Sequence, residues 1–322
     1  MNKILIVGCG DIAMRVSRLL QPNVQVYGLV RNPAYLEKLR VAGIIPLVGD
    51  LDQRHTLKRI SGIADTLLHF APPPTAQNLQ TDFTDIRTRN LLAALSQGSL
   101  PRRLIYISTS GVYGDCNGEI VNETRPTNAQ NARAKLRMDA EQQIRHWAKR
   151  NRVHASILRV PGIYSADRLP VERIKKGTPA IIEMEDSYTN HIHADDLARC
   201  VVSALQHAKP NRIYHTVDDS QMKMGAYFDA VATAFNLPLS PRVTRAEAQT
   251  VLSPMLLSFM NESRRLSNTR MKQELKFVMR YPTVTHTLDE ISQAKIRARD
   301  LLQSTAPTCA LPRQTQLPLP LF

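Results

Sequence analysis

Lys3-Ile4-Leu5-Ile6-Val7-Gly8-Cys9-Gly10-Asp11-Ile12-Ala13 is the stretch that decides the fold. Lys3–Val7 is a short, β-branched apolar run that predicts a strand. From Asp11 onward Ile12, Val16, Leu19 and Leu20 fall at helical spacing, so the turn between carries the chain from strand to helix. That turn reads Gly-x-Gly-x-x-Ala. Gly8 permits the tight bend, Gly10 leaves the backbone open to a diphosphate, and Ala13 is small enough for close helix–strand packing. The unpaired N–H groups of the helix start face the anion. Gly8, Cys9, Gly10, Asp11 and Ile12 are therefore expected to hold the diphosphate of a dinucleotide.

Outward from this turn the alternation continues. Val24–Val30, Ile44–Leu47, Thr66–Phe70, Arg103–Ser108, Val153–Arg159 and Ile213–Val217 predict strands. Ala34–Ala42, Leu57–Ile60, Asn78–Gln97, Asn131–Arg150 and Asp195–His207 predict helices. Such alternation implies an α/β fold, a Rossmann-type doubly wound parallel sheet with right-handed crossovers. Pro161–Thr189 breaks the pattern, and helices near Gly225–Phe235 and Arg245–Phe259 read as a smaller, mainly C-terminal substrate lobe. The expected division is a NAD(P)-binding domain over 1–160 with a return segment at about 188–217, a lobe from 161–187 and 218–303, and a disordered tail over 304–322.

Composition narrows the function. Lysine and arginine exceed aspartate and glutamate by 42 − 28 = 14, but the cations are scattered and only 5% of residues are aromatic, so a dedicated nucleic-acid role is not expected. A nucleotide-shaped small ligand accounts for the surplus as well. No apolar run reaches the roughly 18–20 residues of a membrane span, and the apolar start is too short for a signal peptide, so a cytoplasmic location is expected. Cys9, Cys116, Cys200 and Cys309 lie too far apart to suggest zinc or a disulfide framework. After the second strand, Arg31 and Asn32 stand where NAD-binding chains usually place an acid for the ribose hydroxyls. A cation there suits a 2′-phosphate, which favours NADP over NAD.

Further motifs follow the later strands in order: Gly49-Asp50-Leu51, His69-Phe70-Ala71-Pro72, Ser108-Thr109-Ser110-Gly111-Val112-Tyr113-Gly114, Leu158-Arg159-Val160-Pro161-Gly162 and Asn190-His191-Ile192-His193-Ala194-Asp195-Asp196. Together with the glycine turn they resemble the short-chain dehydrogenase/reductase superfamily, in its extended and atypical members related to nucleotide-sugar epimerases and dehydratases, over roughly residues 1–290. The resemblance implies that Asp50 and Leu51 contact adenine, Ala71 and Pro72 line the ribose side, and Val160 and Pro161 touch the nicotinamide. It also implies that Thr109 is the catalytic hydroxyl. The glycine turn is one residue shorter than the usual extended form, which points to the atypical branch.

One departure bears on chemistry. The family's Tyr-x-x-x-Lys is here Asn131-Ala132-Arg133-Ala134-Lys135, so the lysine that holds the ribose is retained and the phenol that exchanges the proton is not. Tyr113 is the nearest replacement acid/base. His191 and His193 lie near the expected pocket, with local capping the plainer reading of His193.

The expectation is an NAD(P)-dependent oxidoreductase or epimerase-like protein acting on a small polar or nucleotide-linked substrate, with a non-catalytic NADP sensor or scaffold as the alternative. A homodimer through the two long helices is expected. In the tail, Gln316-Leu317-Pro318-Leu319-Pro320-Leu321-Phe322 resembles the hexapeptide form of the bacterial sliding-clamp-binding motif, which implies a weak clamp contact.

Overall fold

The computed structural model describes residues 2–20, 22, 24–74 and 83–304. The chain runs β1 (Asn2–Val7), α1 (Asp11–Leu20), β2 (Val24–Val30), α2 (Leu36–Val41), β3 (Ile45–Val48), β4 (Thr66–His69), α3 (Ile86–Leu95), β5 (Arg103–Thr109), α4 (Ala132–Asn151) and β6 (His154–Val160). It continues through α5 (Val171–Lys175), α6 (Ala194–His207), β7 (Arg212–His215), α7 (Met224–Ala234), α8 (Arg245–Val251), α9 (Pro254–Met260), α10 (Thr269–Glu274) and α11 (Val284–Ser304). The seven strands form one sheet in the order β7-β6-β5-β4-β1-β2-β3, and every neighbouring pair is parallel.

The strands read as continuous apolar runs because both sheet faces are covered. Along β1, Ile4 and Ile6 pack with Ala13 and Val16 of α1 and Leu197 and Val201 of α6. Leu5 and Val7, one residue out of phase, pack on the opposite face with Leu91 of α3 and Ala140 and Ile144 of α4. The reversal of strand order between β1 and β4 opens a crevice at the carboxyl ends of the strands, where ligands of such sheets bind. A third core, holding Tyr164, Ile174, Phe228, Val231, Leu256 and Val284, lies in the segments after β6. Two short parallel strands, Gly162–Tyr164 and His191–His193, tie that region to the head of the sheet.

Several boundaries differ from the sequence reading. The helix expected over Asn78–Gln97 starts at Ile86, because Asp85 caps it by accepting hydrogen bonds from the backbone N–H groups of Arg87 and Thr88. Residues 78–82 lie outside the described residues. The helix expected over Arg245–Phe259 is two helices, since Pro254 cannot continue α8 and Ser253 caps a new start. The long α11 had no counterpart in the reading. Residues 305–322, including the clamp-like heptapeptide, lie outside the described residues.

Candidate active site

The glycine turn meets its geometric requirements. Gly8 has φ +97°, and a Cβ there would sit 2.4 Å from the Ala71 backbone nitrogen, so no other residue fits between β1 and the end of β4. A Cβ at Gly10 would meet nothing within 4 Å. Glycine at that point therefore leaves a cradle in front of the α1 N-terminus, and the backbone fits a diphosphate. The Cys9 thiol turns inward, 3.6 Å from the Ile6 and Leu29 carbonyl oxygens, and burial pushes its pKa up to about 12. The Asp11 carboxylate is taken by Arg15 at 3.0 Å and by Arg168 at 3.3 Å. Ile12 packs partly buried against the core.

Past the end of β2, Arg31 is 68% exposed and lies 3.9 Å from Asp52. That carboxylate belongs mainly to Arg87, which grips it at 2.8 and 2.7 Å and holds it below its ordinary pKa. The Asn32 side chain caps the turn after β2 by accepting from Ala34 N–H. Asp50 accepts from Asp52 N–H, and Leu51 is buried while its carbonyl accepts from Asn90. The Ala71 N–H donates to the Val7 carbonyl, and Pro72 O accepts from Arg87.

A cavity of about 590 Å³ opens where β5 and β6 end against the second lobe. Thr109, Val160 and Pro161 line it together with Asn131 and Glu262. Thr109 Oγ1 accepts from Gly111 N–H at 3.2 Å, which leaves its own O–H free to donate. Asn131 caps α4: its Oδ1 accepts from Ala134 N–H at 2.9 Å, and its Nδ2 donates to Glu262 Oε1 at 3.0 Å. The other Glu262 oxygen accepts from Arg264 at 2.9 Å, so a carboxylate from the far lobe stands at the first turn of α4. His191 also lines the cavity. Burial lowers its pKa to about 4, and its Nδ1 has no partner among the described residues.

Two expected residues are not brought to the cavity. Tyr113 is 1% exposed, its hydroxyl accepting from Arg159 at 2.6 Å and donating to His215 Nε2 at 2.6 Å. His215 Nδ1 faces the Ser267 carbonyl at 3.1 Å and must carry the proton, which fixes that direction. Burial pushes the phenol up to about 12. The expectation that Tyr113 replaces the missing acid/base is thereby corrected, because its hydroxyl is consumed inside the protein. The Lys135 ammonium stacks 4.5 Å from the Phe83 ring centroid and is not part of the cavity wall. Arg137 lines the wall instead. His193 caps α6, accepting from Asp195 N–H at 3.2 Å.

Residues 13–216 match the model of the NAD dependent epimerase/dehydratase family. The chain belongs to this family. A solved structure of a functionally unknown conserved protein from Silicibacter pomeroyi DSS is 28% identical, with a TM-score of 0.73 over 92% of this chain and 99% of that one. The UDP-glucuronic acid 4-epimerase from Bacillus cereus, solved with UDP-glucuronic acid and NAD, shares the fold at 18% identity, with a TM-score of 0.71 over 92% of this chain and 99% of that one. A Stigmatella aurantiaca protein named as a 4-hydroxy-2-methyl-3-oxo-4-farnesyl-3,4-dihydroquinoline-1-oxide ketoreductase is 29% identical over 103 residues, 31% of this chain and 30% of the relative.

Within this epimerase/dehydratase protein, Glu262 and Arg137 were missed from sequence for different reasons. Glu262 reaches Asn131 across 131 positions of chain from an irregular loop, and no motif marks it. Arg137 lay two residues beyond the lysine on which the resemblance concentrated.

Proposed function

We propose that the protein is an NADP-dependent oxidoreductase of the epimerase/dehydratase kind, acting at a carbinol or carbonyl carbon of a polar, anionic substrate. One observation carries the reading: Thr109 and the Val160-Pro161 strand end share a single cavity with a carboxylate tethered to the helix turn that lacks a phenol. When bound, the nicotinamide supplies the hydride donor or acceptor. Thr109 donates its free O–H to the reacting oxygen. Glu262, fixed by Asn131 and Arg264, takes the carbinol proton that the family's phenol would otherwise handle.

The walls support the charge of the substrate. Arg133 and Arg173 line the cavity over the rings of Phe259 and Phe228, and neither has a carboxylate partner among the described residues. Burial pulls the Arg173 guanidinium below its ordinary pKa, a cost that a bound anion would offset. Preference for NADP rests on Arg31, exposed at the end of β2.

A panel of phosphorylated and carboxylated alcohols and ketones, followed by nicotinamide absorbance, tests the reading. Turnover that Glu262→Gln reduces by roughly a hundredfold, with unchanged NADP affinity, supports it. Full turnover in Glu262→Gln overturns the role of Glu262. A protein that binds NADP yet never reduces or oxidises it is the sensor, a reading favoured by the internal hydrogen bonds that engage the Asn131 amide and the Tyr113 phenol.

A further inference from the structure

We infer that Arg137, and not Lys135, is the cation that holds the ribose on the nicotinamide side of the cofactor. The inference rests on the dinucleotide reading of the glycine turn and adds the residue that anchors the second half of the ligand. Arg137 projects from α4 to the heads of two adjacent strands. Its Nη1 donates to the Ile107 carbonyl at 2.8 Å and the Tyr106 hydroxyl at 2.9 Å, with the Ala71 carbonyl at 3.4 Å.

Those contacts fix its place along the ligand. Ala71 touches Gly8, whose Cβ direction points straight at the Ala71 backbone, so the diphosphate cradle lies directly beside it. Adjacent strands stand roughly 4.8 Å apart, so β1, β4 and β5 step across about 10 Å. A dinucleotide with its diphosphate at β1 and its nicotinamide at the cavity by β5 and β6 must lay its second ribose over Arg137.

The charge is also available. All three contacts use Nη1, and they go to neutral oxygens. Nε and Nη2 have no described partner, and the residue lines the cavity wall. No carboxylate forms an ion pair with Arg137 among the described residues. The neighbouring His69 is kept neutral, its pKa lowered to about 3 by burial and then by this guanidinium. A planar fork of free N–H donors beside a crevice suits the vicinal hydroxyls of a ribose and the adjacent diphosphate charge. Lys135 instead lays its ammonium over the Phe83 ring and does not line the cavity.

Calorimetric titration with two ligands tests this. NADP+ carries the second ribose, and adenosine 2′,5′-bisphosphate does not. Arg137→Met should weaken NADP+ binding by roughly ten- to a hundredfold, the loss of charge-assisted hydrogen bonds. It should leave the bisphosphate within about twofold, and Arg137→Lys should recover part of the loss. Lys135→Met should leave both ligands within about twofold. Equal loss of both ligands in Arg137→Met would make the residue a strand brace only and overturn the inference. So would selective loss of NADP+ in Lys135→Met. A wild-type chain that binds the bisphosphate but gains nothing from the full dinucleotide overturns it while leaving the adenosine-side reading intact.

Discussion

The two ends of the crevice are built differently. At the glycine turn, the proposed diphosphate end, the protein offers backbone: Gly8, Gly10 and the α1 N-terminus, all within a few residues of one another. At the proposed reacting end it offers side chains from remote segments, with Thr109 ending β5, Asn131 capping α4, Arg137 on α4 and Glu262 after α9. Beneath that end lies a buried ionic frame. Arg159 donates to both oxygens of Glu141 at 3.1 and 2.7 Å and to Tyr113, and Ser108 donates to Glu141 at 2.6 Å. A backbone site tolerates little change in shape, whereas a side-chain site tolerates little change in charge.

The largest expected effect breaks the frame. Arg159→Met strands the Glu141 carboxylate, whose side chain is 4% exposed, and should lower unfolding stability by about 3–5 kcal/mol, read as a shift in denaturant midpoint. A loss below about 1 kcal/mol would mean that the reacting end does not rest on this pair.

The glycines sharpen the contrast at the other end. Gly8→Ala forces a side chain into the Ala71 backbone at positive φ and should cost both stability, by about 1–3 kcal/mol, and cofactor affinity. Gly10→Ala places a methyl in open space, so its unfolding stability should stay within about 0.5 kcal/mol of the wild type while NADP affinity falls roughly tenfold. If Gly10→Ala binds NADP as the wild type does, the cradle is not where the diphosphate sits.

These two ends also explain what could be read from the sequence. The glycine turn is local, and the alternation of Ile4 and Ile6 with Leu5 and Val7 gives a continuous apolar run whose length marks each strand, so the fold was legible. The helix boundaries turned on single side chains: Asp85 capping α3, and Ser253 with Pro254 dividing α8 from α9. Both signals stand in the sequence as single polar or proline residues inside longer stretches read as one helix. α11 was not read from sequence: Val284 and Leu288 of its start are buried in the lobe, while Ile296 further along is 59% exposed, so these apolar residues do not share one buried face. Tyr113 was read as the replacement acid/base because it stands in the turn beside Thr109. Its partners Arg159 and His215 come from β6 and β7, and only tertiary structure brings them together.

A pH-dependent effect is spread over several buried groups. Burial lowers the pKa of His69 and His215 from 6.5 to about 3 and that of His191 to about 4. Each stays neutral in the fold but takes up a proton in the unfolded chain below about 6.5, so stability should fall as pH drops from 6.5 toward 3. Asp218 acts in the opposite sense. Burial raises its carboxyl from 3.8 to about 7, so the fold holds a proton that the unfolded chain releases, and stability is lost as pH rises through 7. Asp218→Asn should therefore raise the denaturant midpoint more at pH 8 than at pH 5. An equal rise at both values would place its proton elsewhere.

Titration of the purified chain with NADP+ and NAD+ in a calorimeter addresses the whole account most directly. A single saturable site per chain, tighter for NADP+ and with the preference removed by Arg31→Ala, is the predicted result. Absence of binding heat with both nucleotides, on folded protein, would contradict it.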